Sequence, residues 1–220
     1  MPAIVTQQAM ISAPPKNCAL CPRLVEFREK NCHAHPDYYN GAVPAFTAPH
    51  VKLLVVGLAP GLHGANATGR PFTADYAGDL LYPTLIKFGF ARGEYKERAD
   101  DGLELIDARI TNAVRCVPPQ NKPEPSEIKT CNQFLRSEIS SLQKNLRVIV
   151  TLGLVAHQAT LRALDIKQST FKFAHSAEHN TDDLIILNSY HCSRYNTNTR
   201  RLTEPMFHSV FARALQICDE

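Results

Sequence analysis

The stretch Gly57-Leu58-Ala59-Pro60-Gly61-Leu62-His63-Gly64, continuing through Gly69-Arg70-Pro71-Phe72-Thr73-Ala74-Asp75, has the composition of a catalytic loop and follows a mostly apolar run at 51–56. Small residues such as Gly57 and Ala59 let the main chain approach a ligand closely. The run ends in a ring, Phe72, and a carboxylate, Asp75, that can face one pocket. A second loop, His191-Cys192-Ser193-Arg194-Tyr195-Asn196-Thr197-Asn198-Thr199, follows another apolar run at 184–187. Between the two loops, Asn112 in Ile110-Thr111-Asn112-Ala113 offers an amide that both donates and accepts.

The chain also carries seven cysteines. Its N-terminus has no basic region followed by an apolar one, so the thiols point away from a disulfide framework and toward metal or cluster ligation. Cys18 and Cys21 form a C-x2-C pair followed by Pro22, and Cys116 and Cys131 form a distant pair whose spacer begins Pro-rich at 117–125. A C-x2-C turn lets two sulfurs point at one centre, and two pairs are the minimum for a four-thiolate site. The gap between the pairs is wider than in a zinc ribbon. Zinc at the same four residues, or Cys116 and Cys131 as buried apolar side chains, remain alternatives. Cys32, Cys192 and Cys218 lack partners at ligand spacing.

Positioning these groups requires strands that end together. Apolar runs at 51–58, 109–116, 147–152 and 184–190 have the length and composition of buried parallel strands. Helical patterns fall between and after them, at 79–90, 126–142 with Ser126 as cap, 154–164 and 205–218. Strands alternating with helices predict an α/β fold, a three-layer α/β/α sandwich around a central four-stranded parallel sheet. Ligands of such sheets bind at the carboxyl ends of the strands, where both loops lie. Residues 170–180 read equally as a short hairpin or an irregular insertion. With 220 residues, 44% of them hydrophobic, the chain suits one domain over 1–220, opening with a loose, proline-containing arm at 1–16. A formal charge of +3 does not by itself mark a nucleic-acid binder. No apolar run approaches the roughly 20 residues of a membrane span, so a cytoplasmic protein without membrane contact is expected.

The two loops resemble the active-site motifs of the uracil-DNA glycosylase superfamily, and of its family 5 (type b) in particular, with the likeness extending over 18–203. Leu58 stands where family 4 carries Glu, which removes the usual water-activating side chain from the first motif. The resemblance implies a monofunctional glycosylase that hydrolyses the N-glycosidic bond of uracil, and of other deaminated bases, in single- or double-stranded DNA. It also implies a [4Fe-4S] cluster on Cys18, Cys21, Cys116 and Cys131, with a structural role. On the same ground Phe72 stacks on the base, Asn112 matches the O4 and N3–H edge of uracil, and Gly57 and Ala59 let the backbone approach. His191 donates to O2 as charge develops there. Asp75, with His63 in the same loop, becomes the candidate to polarise water or offset the sugar cation. Arg194, Arg200 and Arg201 form a rim for phosphates, and Tyr195 or Arg194 can wedge into the gap left by a flipped base. A monomer is the default expectation.

Taken singly these residues have plainer readings. Asp75 equally suits the N-cap of a helix starting near Tyr76 or Asp79. The chain also departs from the family twice. Cys192 replaces the Pro of His-Pro-Ser, and Arg200 stands where Gly is expected. With Leu58, these departures keep a rival open, a non-catalytic iron-sulfur or zinc protein that binds nucleic acid on the same scaffold. An electron carrier is a weaker third reading.

Overall fold

A computed structural model describes residues 13–220. In chain order its elements are α1 (Pro22–Ala34), β1 (Phe46–Thr47), β2 (Leu53–Gly57), α2 (Ala65–Thr68), α3 (Tyr76–Lys87), β3 (Ala91–Arg92), β4 (Glu104–Leu105) and β5 (Ala108–Asn112). They continue with α4 (Pro125–Leu142), β6 (Val148–Leu152), α5 (Leu154–Ala163), β7 (Glu178–Asn180), β8 (Ile185–Ser189), α6 (Arg194–Asn198) and α7 (Glu204–Asp219). The main sheet runs β1-β5-β2-β6-β8-β7. Its four central strands are parallel, as the apolar runs predicted, and β1 and β7 add antiparallel edges.

Both faces of the sheet are covered. Leu53, Val55, Ile110 and Val150 pack against Leu81 and Leu85 of α3 and Phe207 and Phe211 of α7. Leu54, Val56, Ile149 and Ile186 face Leu135 and Ile139 of α4 and Ala156 and Ala159 of α5. Strands buried on both faces need apolar residues at every position, which is why β2 reads Leu-Leu-Val-Val-Gly without alternation.

Several boundaries differ from those predicted. Helix α3 starts at Tyr76 rather than Asp79, because Asp75 caps it. The cap of α4 is Glu124, not Ser126: Glu124 and Glu127 form a reciprocal capping box and Pro125 opens the helix. The ambiguous segment 170–180 ends in β7, which forms a hairpin with β8. Of the arm assigned to 1–16, residues 1–12 lie outside the described residues. The remainder is tied down: the Lys16 carbonyl accepts from the Ala42 amide at 2.8 Å, and its ammonium lies 4.4 Å from the Tyr39 ring centre. Among the described residues no helix is long and apolar enough to cross a membrane.

Candidate active site and cysteine cluster

Parallel pairing sets Gly57 and Asn112 side by side at the carboxyl ends of β2 and β5. Gly57 forms the floor of the site. A Cβ there would lie 2.4 Å from both Asn112 Oδ1 and Phe72 Cζ, so any other residue would expel the amide or the ring. Asn112 and Phe72 are both buried, and the Asn112 amide makes no side-chain hydrogen bond among the described residues. His191, just past β8, faces Phe72 with ring centres 6.2 Å apart and planes inclined by 27°. Burial lowers the His191 pKa to about 4, so its ring is neutral at pH 7 and can act as a hydrogen-bond donor.

Asp75 both caps the helix and faces the loop. Its Oδ1 accepts from the Gly78 amide at 3.1 Å. Oδ2 lies against the beginning of the same loop, where a Cβ on Gly64 would come within 3.0 Å. Burial raises the Asp75 pKa to about 6, against the lowering effect of the Gly78 and Ala77 amides. The carboxylate is therefore ionised at neutral pH but close to its titration point, the condition of a general base. The turn before it is strained: Phe72 and Ala74 have φ of 55° and 59°. Each such residue costs about 1–2 kcal/mol relative to the right-handed regions.

Not every predicted residue joins this group. His63 is exposed, with Nδ1 3.1 Å from the Tyr38 hydroxyl and its ring edge-on to His35. Its ring lies on the exposed rim of the loop, one residue before Gly64, which packs on Asp75. The Ala59 methyl packs toward the cysteine residues, so only its backbone is left for the pocket. Arg194 is exposed, its guanidinium 5.1 Å from the Tyr76 ring centre, and Tyr195 is 72% exposed. Cys192, in the position where Pro was expected, is fully buried in the core. Arg200 has φ 57°, a conformation that glycine adopts freely, which accounts for the Gly expected there. Sequence reasoning missed the groups behind the first loop: Arg70, fully enclosed and paired with Asp101, and the hydroxyls of Tyr82 and Tyr95. The signal available was Arg70 itself, a charge embedded in a loop of small residues.

The four paired cysteines converge. Cys18, Cys21, Cys116 and Cys131 pack with Leu24, Val114 and Phe134 around a small apolar cavity, and all four are free thiols. Cys21 is the N-cap residue of α1, and Cys131 lies within α4. Glu127 ties the two helices together by accepting from Arg23 at 2.8 Å through each oxygen. Burial raises Cys116 to about 12 and Cys131 to about 11; the neighbouring sulfurs add to the rise, and Arg28 and Arg115 respectively oppose it. Thiolates gathered around one cavity repel one another, and a cationic centre bound among them compensates that charge. Among the described residues no group of three or more His, Cys, Asp or Glu side chains is arranged to hold a single metal ion. Four cysteines from three segments lining one apolar cavity form an all-thiol donor set of the kind that holds zinc or an iron-sulfur cluster. Cys32 is exposed near the far end of α1, about 16 Å from Cys21 at the helical rise per residue.

The sequence model of the Uracil DNA glycosylase superfamily matches residues 44–215. The chain is 41% identical over 206 residues to a type-5 uracil-DNA glycosylase of Thermus thermophilus, covering 91% of this chain and 93% of that protein. It is 37% identical over 202 residues to the type-5 enzyme of Pyrobaculum aerophilum, covering 90% and 88%. It is also 37% identical over 208 residues to that of Mycobacterium bovis, covering 91% and 78%.

Proposed function

The chain belongs to the uracil-DNA glycosylase superfamily, and we propose that it removes uracil from DNA by hydrolysing the N-glycosidic bond, leaving an abasic site. The observation that carries this reading is the crowding of Asn112 Oδ1 and Phe72 over Gly57, with His191 facing across. A uracil flipped from the duplex stacks on Phe72, a contact worth roughly 1–3 kcal/mol. Asn112 donates to O4 and accepts from N3–H, a pattern that cytosine reverses. As the bond lengthens, negative charge collects on O2, where neutral His191 donates. An interaction of this kind strengthens only in the transition state and so accelerates the step itself. The sugar becomes cationic, and ionised Asp75 offsets that charge and polarises the attacking water through Oδ2. Deaminated purines present the same carbonyl beside an N–H, so the Asn112 amide extends the substrate range to them.

No lysine lies in the 57–75 or 191–199 loops to attack the sugar, so the product is an intact abasic strand. Arg194, with Arg200 and Arg201, supplies the phosphate rim, and Tyr195 fills the gap in the stack. A [4Fe-4S] cluster held by Cys18, Cys21, Cys116 and Cys131 would tie α1 and α4 to the end of β5 without taking part in the chemistry. We read the enzyme as a monomer acting on DNA in the cytoplasm.

The test is incubation with single- and double-stranded oligonucleotides containing one uracil, with and without subsequent alkali. Breakage only after alkali is expected on both. No breakage on either would remove the reading and leave a DNA-binding protein. Purified protein should contain about four iron and four labile sulfide per chain. Zinc in their place, after anaerobic preparation, would refute the cluster.

A further inference from the structure

The segment between β3 and β4 lies outside every motif discussed so far, yet it reaches the active-site turn with one side chain. Tyr95 Oη accepts from the Ala74 amide at 3.2 Å and donates to the Phe72 carbonyl at 3.3 Å. It thereby bridges the two sides of Thr73. Neither backbone group has another hydrogen-bond partner among the described residues. The residues that supply these two groups are those held at positive φ. One hydroxyl thus closes the strained turn that carries Phe72 and leads into Asp75.

The hydroxyl itself is held in place. The Tyr95 ring stacks on Tyr82 at 4.6 Å, and the Tyr82 hydroxyl donates to the Pro71 carbonyl at 2.5 Å. Arg70 fills the space between, its guanidinium 5.2 Å from the ring centres of Phe46 and Tyr82 and 5.9 Å from that of Tyr95. Its Nε donates to Thr73 Oγ1 at 2.7 Å, and its two terminal nitrogens form a bidentate pair with Asp101 at 2.8 and 2.7 Å. Asp101, its side chain fully buried, also accepts from the Lys96 and Leu103 amides. This folds the 96–103 segment around the carboxylate and fixes where Tyr95 enters.

We propose that Tyr95 is a positioning residue for glycosidic cleavage, its hydroxyl clamping the 72–74 turn so that Phe72 and Asp75 are presented together to the substrate. The inference rests on the roles given above to those two residues. The ring of Tyr95 packs on Tyr82 with or without its oxygen, so Tyr95→Phe removes the clamp and leaves the packing. Misplacement by an ångström costs up to about 100-fold in rate. The single-turnover excision rate of Tyr95→Phe on a uracil duplex is expected to fall by about 10- to 100-fold, while Kd for an abasic-analogue duplex stays within about 2-fold. Glycine adopts the φ of residue 74 without a Cβ clash. Ala74→Gly in the Tyr95→Phe background should therefore recover at least about 3-fold of the lost rate. An unchanged rate in Tyr95→Phe overturns the proposal. So does a loss that tracks a lowered melting temperature and is not recovered by Ala74→Gly, since the hydroxyl then serves only the fold. Asp75→Asn, measured alongside, separates the two claims: full activity there removes the role of Asp75, whereas a slow Asp75→Asn beside a normal Tyr95→Phe removes only the clamp.

Discussion

The two loops that close the pocket are built on opposite principles. The first, over 57–75, has a buried backing: Arg70, Phe72 and Thr73 are each at most 5% exposed, and an enclosed ion pair and two tyrosine hydroxyls hold its turn. The second buries His191 only in part and Cys192 fully, then runs outward. Its five-residue helix α6 is held by the Ser193 cap, by Asn196 donating to the His191 carbonyl at 2.8 Å, and by Thr197 donating to Tyr76 at 3.1 Å. Positive φ occurs within the first loop and at Arg200 just past the second, but only the strain of the first is enclosed. On the roles proposed above, the groups that meet the transition state sit on the braced loop and strand ends, and those that follow a deformable DNA backbone sit on the open one.

If that division holds, the largest effects come from the braced side. Asp75→Asn keeps the shape of the side chain and removes its charge, and its single-turnover excision should slow by roughly 10²–10³ with DNA binding retained. The same change should make the protein more stable. Burial raises the Asp75 pKa from 3.8 to about 6, so the ionised form is disfavoured in the folded state; its cost is absent below pH 4 and fully present above pH 6. Asp75→Asn should thus melt higher at pH 7.5, by up to about 3 kcal/mol of stability, and no higher at pH 4. Catalysis weaker and fold stronger from one substitution would sharpen the contrast; unchanged rates would break it.

Next in size is Asn112→Ala, which removes the edge contact and should cost about 1–3 kcal/mol in excision efficiency. His191→Ala should act on the chemical step instead, lowering the single-turnover rate at saturating enzyme while leaving affinity for an abasic duplex in place. On the open loop, Tyr195→Ala should chiefly weaken binding to damaged duplex, by about 1–3 kcal/mol, with less effect on single-stranded substrate, where there is no stack to refill. The smallest effect is expected from Arg200→Gly. It relieves the positive φ and should raise stability by up to about 1 kcal/mol, while the lost phosphate contact weakens DNA binding slightly and lowers its salt dependence, as calorimetry and a salt titration of binding together would report.

How far the sequence could be read depended on how local each signal is. The four parallel strands were legible because each is an unbroken apolar run, whereas β1 and β7, two and three residues long with partly exposed residues, carry no period. The pairing of Cys18 with Cys21 and of Cys116 with Cys131 was legible from spacing, and Gly57, Phe72, Asn112 and His191 stood out together through the resemblance of their motifs to the family's. The double use of Asp75 was visible only as a choice between cap and catalyst, and the structure shows one carboxylate with an oxygen for the cap and another turned to the loop. Tyr95 and Asp101 were not legible. They lie in a polar stretch without periodicity, and Asp101 meets Arg70 across 31 positions, a distance that local patterns do not span.

The role of Asp75 is tested most directly by the pH dependence of single-turnover uracil excision, measured on the parent chain and on Asp75→Asn. If ionised Asp75 is required, the parent rate should fall tenfold per unit of pH below a midpoint near pH 6 and level off above about pH 7. His191, neutral above about pH 4, adds no second step in that range. Asp75→Asn should be slow and flat from about pH 5 to 8. A parent profile without the step near pH 6, or an Asp75→Asn rate within a few-fold of the parent at neutral pH, would contradict the assignment and leave Asp75 as the cap of α3 alone.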